Sequence, residues 1–501
     1  MKLVNPLVAG FNPDPSIVLV DGVYYLSTST FEYVPGLPIY SSTDLESFAL
    51  IGHVLTTPEQ GGLEGVPTGL GVWAPTIRHR NGTFYVIVTI AGGRGCMLFT
   101  ATDPAGPWSE GLLLAGIEGI DPDLAWDDDG IALVTYSGLI VSGPEFGKHL
   151  GILQVAVDLE TGENLEEPRS IWSGVGGQFP EAPHLYKRGA WWYLMIAEGG
   201  TERGHGESMA RSENARGPFV AGPNNPFLSA RSTQRPVQNT GHGDLVDTPD
   251  GGTAMILLGV RPRGGTRAFS ALGRETFITS VTWEDGWPVA EPVQLAPRDA
   301  VSYDIDFAEG IDGGWMAIRR APASIVDLKT TPGSLSLEGE GRDLDDPAPV
   351  FLGRRQEHQT ATFGSTLTTR EGASGGIAVR YDEQAVYSIL ASRSGGVTTI
   401  TARAAIPTIL QTWSTETAAD TVELRIASVP PAGAAFGPDG MTSDFLHLIA
   451  VVDGKEQLLA RVDGRSLSAE VAASFTGRVI GVFAVTGTVS FAGFSYAASN
   501  D

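Results

Sequence analysis

Three carboxylates open equivalent phrases in the first half of the chain. They are Asp14 in Asp14-Pro-Ser-Ile-Val, Asp121 in Asp121-Pro-Asp-Leu-Ala and Glu181 in Glu181-Ala-Pro-His-Leu. Trp73, ahead of Ala74-Pro-Thr-Ile, and His242, ahead of Gly243-Asp-Leu-Val, open two more copies. An isolated Asp-Pro is commonly a turn residue that accepts backbone hydrogen bonds. Five leading residues at or just before the start of a repeat are a different case, because whatever positions one of them positions them all. Carboxylates brought together in this way can divide acid and base work between them: one group keeps its proton and another stays ionised.

Each phrase begins a predicted hairpin. In the first, Ser16–Val20 runs into Asp21-Gly22 and returns through Val23-Tyr-Tyr-Leu-Ser; Asn81-Gly82, Asp129-Gly130, Arg188-Gly189 and Asp250-Gly251 mark the other turns. The prolines at 15, 75, 122 and 183 stand at strand starts, where a sheet tolerates them. Copies recurring every 47 to 61 residues suit four-stranded blades with elaborated loops, so residues 1–300 are expected to form a five-bladed β-propeller. The first strand of each blade lines the central channel, and the five leading residues then meet at one mouth. Residues 289–304 read as a connection. Residues 305–501, with short alternating strands such as Ala361–Leu367, Gly376–Tyr381, Thr421–Ile426 and Phe445–Val452, read as a β-sandwich, jelly-roll-like, closing one side of that mouth. The fold class is all-β.

Glycoside cleavage needs one carboxylic acid to protonate the departing oxygen and one carboxylate to activate water or attack the sugar. Asp14, Asp121 and Glu181 supply that pair and one more, which can orient the acid and oppose its ionisation. The apolar surroundings of Glu181, Gln178-Phe-Pro-Glu-Ala-Pro, suit the acid. The Asp127-Asp-Asp129 run reads as turn chemistry rather than a calcium loop, with Asp123 inside the same hairpin.

Composition narrows the partners. Lys and Arg number 33 against 58 Asp and Glu, a formal net charge of −25, which disfavours nucleic acid and anionic membrane and favours a small neutral oligosaccharide. No apolar run reaches transmembrane length. The opening residues lack a secretory pattern and the single Cys96 cannot form an internal disulfide, so a cytoplasmic location is expected. A homo-oligomer is compatible with the sequence.

The motifs Asn12-Pro-Asp-Pro-Ser-Ile, Thr28-Ser-Thr-Phe-Glu-Tyr-Val-Pro-Gly-Leu-Pro-Ile, Val72-Trp-Ala-Pro-Thr-Ile, Gly119-Ile-Asp-Pro-Asp-Leu, Phe179-Pro-Glu-Ala-Pro-His-Leu-Tyr-Lys, Ala197-Glu-Gly-Gly-Thr, Thr240-Gly-His-Gly-Asp-Leu-Val and Leu272-Gly-Arg-Glu-Thr occur in this order. With them the chain resembles glycoside hydrolase family 43, in its two-domain β-xylosidase and α-L-arabinofuranosidase branch. Pro349-Val-Phe-Leu-Gly-Arg-Arg-Gln-Glu-His extends the resemblance into the second domain. The resemblance implies an inverting mechanism with Asp14 as general base, Glu181 as general acid and Asp121 as the group that tunes and positions Glu181. It implies Phe31 and Trp73 as walls of the sugar subsite, and Thr201, His242 and Arg274 as contacts to its hydroxyls or to water. No cofactor is required; His242 is a candidate contact for a calcium ion near the propeller axis. An aromatic from the sandwich is expected at the rim, but no motif identifies it.

The expected activity is exo-acting release of terminal β-D-xylose from short xylo-oligosaccharides, with α-L-arabinofuranose or another pentofuranose as the alternative and dual activity open. Two rivals are a retaining fructosidase-like hydrolase, which would carry Arg-Asp-Pro where this chain has Ile120-Asp-Pro, and a sugar-binding propeller without catalysis.

Overall fold

The computed structural model describes residues 3–141, 143–265, 268–434, 436–472 and 474–499. Five antiparallel sheets follow one another in the chain. Blade 1 is Ser16–Val20, Val23–Ser27, Gly36–Ser42 and Ala49–Leu55. Blades 2 to 5 begin with Gly71–Arg80, Ile120–Trp126, Glu181–Arg188 and Gln238–Asp247. The first strands pack side by side around one axis, and the fifth closes onto the first. The turns follow the local chemistry. Asp21 and Gly22 have φ of 49° and 82°, and Asn81 and Gly82 have 52° and 80°, the all-positive pair that matches strand twist in a two-residue hairpin.

Closure is reinforced from both ends of the domain. The Asn5 side chain takes the Ile278 N–H at 2.8 Å and donates to the Ile278 carbonyl at 2.8 Å, which ties the start of the chain to blade 5. Along the axis, Asp244 of blade 5 accepts from Ser16 Oγ of blade 1 (2.7 Å), Arg78 of blade 2 (2.8 Å) and the Tyr186 hydroxyl of blade 4 (2.6 Å). Arg78 also reaches Asp123 of blade 3 at 2.6 Å. Burial of these charges costs free energy unless each is paired and hydrogen-bonded, and here every one is. Asp123 therefore serves as a buried inter-blade tie, whereas Asp127 is a turn residue whose Oδ1 accepts the Asp129 and Ile131 N–H groups.

Trp287–Ala290 completes blade 5, so the connection runs over residues 291–300 and the sandwich starts at Val301–Ile305. The 13-residue strand Val479–Phe491 is its spine, pairing with Leu335–Glu340, Val350–Arg355, Ser374–Asp382 and Ala361–Thr369. Val397–Ile406 and Ile409–Thr417 add a further hairpin. The two domains share structure. Tyr33–Val34 of the propeller pairs with Met316–Ile318 of the sandwich, and Phe11, Phe31, Tyr33, Ile318, Phe351 and Phe483 belong to one buried cluster. No helix among the described residues is long and apolar enough to cross a membrane.

Candidate active site

Strand starts aim the functional groups. Asp14, Asp121 and His242 sit at φ of 56°, 52° and 50°, and the register shifts beside Asp121, Glu181 and His242 as well as between Val72 and Pro75. A bulge with one left-handed residue turns a strand end and redirects its side chain. In blade 4 the left-handed residue is Ala182 (φ 49°), one place after Glu181, whereas Asp14 and Asp121 are themselves left-handed.

All eight residues singled out from the sequence, Asp14, Phe31, Trp73, Asp121, Glu181, Thr201, His242 and Arg274, line one cavity of about 320 Å³. Asp14 is buried. Its Oδ1 accepts from Arg274 Nη1 at 2.9 Å, its Oδ2 accepts from Ser29 Oγ, and His242 Nδ1 lies 3.6 Å from Oδ1. Burial by itself would raise the Asp14 pKa, but Arg274, then His242 and the Ser29 hydrogen bond, outweigh it and hold the carboxyl below its ordinary value. Asp121 goes the other way. Burial, then the neighbouring Glu181 and Asp14 charges, push it well above the ordinary value, and its one backbone partner is the Ala182 N–H at 3.1 Å. Burial lowers the His242 pKa to about 4, against the pull of Asp14, so its imidazole is neutral at pH 7.

Glu181 is the most open of the three acids, and its approach is braced. The Pro180 carbonyl accepts from Ser137 Oγ at 3.0 Å, and Ser137 Oγ lies 3.0 Å from His149 Nε2. The loop before it is held by the Glu198 carboxylate, which takes the Val175 and Gly177 N–H groups at 2.9 and 3.0 Å.

The walls are aromatic. Phe475, from the sandwich, stacks near Phe31 with centroids 6.3 Å apart and meets Trp73 edge-on at 6.4 Å. Arg274 lies over both phenyl rings at 5.7 and 5.5 Å, and donates to Thr201 Oγ1 at 3.1 Å and to the Phe475 carbonyl at 3.3 Å. Phe475 is the rim aromatic that no motif revealed. It lies in a Ser-Phe-Thr-Gly stretch with no repeat to mark it. Leu139, Gln178, Phe179 and Glu202 also line the cavity. Leu139 ends the second strand of blade 3, and Gln178, Phe179 and Glu202 lie in loops, where spacing carries no signal.

His242 has one carboxylate, Asp14, close beside it. That carboxylate is already neutralised by Arg274, and no group of three or more His, Cys, Asp or Glu among the described residues could hold a metal. Calcium takes six to eight oxygen ligands. A neutral sugar, by contrast, suits a pocket of aromatic faces with a few converging polar groups.

Comparison with known proteins agrees with this geometry. Residues 3–288 match the model of glycosyl hydrolases family 43, and residues 304–498 match the β-xylosidase C-terminal concanavalin A-like domain. The chain is 36% identical to the non-reducing end α-L-arabinofuranosidase BoGH43B of Bacteroides ovatus, over 96% of this chain and 90% of that protein. It is 37% identical to a xylosidase/arabinosidase of Butyrivibrio fibrisolvens, over 70% and 72% of the two chains. The crystal structure of a xylan β-1,4-xylosidase from Bacillus halodurans C-125 superposes with a TM-score of 0.87 at 26% identity, covering 99% of this chain and all of the other. The chain belongs to glycosyl hydrolase family 43, and within it is a glycoside hydrolase of the β-xylosidase/arabinofuranosidase type.

Proposed function

We propose that the enzyme is an exo-acting, inverting glycosidase that removes one terminal pentose, β-D-xylose first, from short xylo-oligosaccharides. The observation that carries this reading is the opposite setting of two like carboxylates in one cavity, Asp14 held ionised by Arg274 and Asp121 pushed toward its protonated form beside Glu181. Asp14 takes a proton from water as that water attacks the anomeric carbon. The bond from that carbon to the glycosidic oxygen breaks, and the oxygen takes the proton of Glu181. Asp121 and Glu181 form a coupled pair in which two like charges are disfavoured, so the pair keeps a proton, and Asp121, by accepting the Ala182 N–H, holds the chain just after the acid. Phe31, Trp73 and Phe475 face the sugar, and Thr201, His242 and Arg274 meet its hydroxyls. A pocket narrowed by an aromatic from a second domain favours the end of a short chain over the middle of a polymer.

A second sugar has its own support. The relative matching 96% of the chain is named for arabinofuranose at the non-reducing end, and the two pentoses differ by amounts that a pocket discriminates by only about 1–3 kcal/mol. Hydrolysis of 4-nitrophenyl β-D-xyloside and α-L-arabinofuranoside, with NMR of the first-formed sugar, tests both parts. The expected result is hydrolysis with inverted configuration, reduced about 10²- to 10⁴-fold by Glu181→Ala. Retained configuration overturns the inverting assignment. Sugar binding without hydrolysis of either substrate overturns the enzymatic reading.

A further inference from the structure

His205 is fully buried and belongs to none of the motifs assigned a role. It precedes the third strand of blade 4, Gly206–Ser212, and its ring is fixed on several sides. Nδ1 lies 3.0 Å from the Asn239 carbonyl, which can only accept, so Nδ1 carries a hydrogen. The backbone holds too, with the His205 N–H on the Glu202 carbonyl and the Ser229 hydroxyl on the His205 carbonyl. Gly241 packs so close to the ring that a Cβ there would lie 2.5 Å from Cε1. In the neutral ring Nε2 is then an acceptor. It has no hydrogen-bond partner among the described residues, and Glu181 Oε1 lies 3.6 Å from it.

A buried acceptor without a donor costs free energy. The protonated Glu181 carboxyl is a donor, and a small rotation of this most open of the three acids closes the gap; such contacts are often long before substrate is bound. We propose that His205 is a positioning residue that keeps the acid loaded in the free enzyme, its Nε2 accepting the Glu181 hydrogen until a glycosidic oxygen takes that place. After delivery the carboxylate faces a lone pair and swings away, and solvent returns the proton. The inference rests on Glu181 being the acid.

A hydrogen bond made only by the protonated form favours that form. Removing it therefore moves the alkaline limb of kcat/KM, which reports the free enzyme, to lower pH. The other titratable groups around the pair, Asp14, Asp121, His149, Glu207 and His242, are the same in every variant compared. For 4-nitrophenyl β-D-xyloside, or the arabinofuranoside if that is the better substrate, His205→Phe is expected to shift this limb down by roughly one pH unit. The rate falls about tenfold on the alkaline side and little on the acid side, and the kcat limb moves less. His205→Gln, whose amide oxygen accepts, restores the limb. Gly241→Ala, which displaces the ring without removing it, shifts the limb in the same direction as His205→Phe. A uniform loss with an unmoved limb overturns the inference, leaving His205 a packing residue. A shift to higher pH also overturns it, because an imidazolium would then be pairing with a Glu181 carboxylate. A limb that survives Glu181→Ala overturns the acid assignment itself, and that outcome is distinct from both.

Discussion

Asp14 and Asp121 are the same residue type, each followed by proline, each at φ near +55° and each buried at the start of a blade. Their surroundings nonetheless separate them. Arg274 faces Asp14 directly, whereas Asp121 has Glu181 as its largest charged neighbour. Burial alone raises both, so the guanidinium decides which carboxyl is ionised. Replacing Arg274 by Met leaves Asp14 buried without its largest counter-charge, and its pKa rises. The base must be ionised to work, so the acid limb of kcat/KM moves to higher pH, by about 1–3 units. The check is the pH profile of aryl glycoside hydrolysis, and an acid limb that stays in place refutes Arg274 control of Asp14. These residue types and their convergence were legible from the repeat. Their opposite settings were not, because Arg274 lies 260 residues from Asp14 and outside the repeated phrase.

At the level of elements, the hairpins could be read directly: Asp21-Gly22 and Asn81-Gly82 form turns where their chemistry predicts. The bulges could not be read, since two-residue alternation continues on either side of an inserted residue. In blades 2, 3 and 4 they fall just ahead of the regular pairing, beside Trp73, Asp121 and Glu181. The Phe31 wall depends on a similar local device. Phe31 and Val72 exchange both backbone hydrogen bonds at 2.9 Å, and Gly71 (φ 99°) approaches so closely that a Cβ would lie 2.4 Å from the Phe31 carbonyl oxygen. Gly71→Ala forces strain and contact together and is expected to lower the unfolding free energy by about 1–3 kcal/mol. It shifts Phe31 and Trp73 while leaving the acids in place, so KM rises several-fold with a smaller change in kcat. Denaturant titration and steady-state kinetics check the two halves. An increase confined to kcat effects would place Phe31 outside the binding wall.

For the whole molecule, the sandwich completes both the propeller's packing and its pocket. Arg319 spans the junction, donating to the Val66 carbonyl at 2.6 Å, to Thr68 Oγ1 at 2.8 Å and to the Pro347 carbonyl. Glu470 takes the Ser270 N–H and hydroxyl, both at 2.7 Å. A chain ending at residue 300 would expose Phe11, Phe31 and Tyr33 and lose Phe475 and the partner strand of Tyr33–Val34. The expected outcome is that this fragment aggregates or is inactive, and that the full chain unfolds in one calorimetric transition. Two resolved transitions with an active fragment would show the domains to be independent.

By itself the sequence determined the five strand starts, their turns and the acids they carry, because side-chain periodicity and turn chemistry are local and the repeat multiplies them. Tertiary structure alone decided which acid is held ionised, that Phe475 closes the pocket and that Nε2 of His205 faces Glu181. Each of these depends on a contact between segments that share no repeat, and burial and charge act through distance in space, which residue spacing does not record.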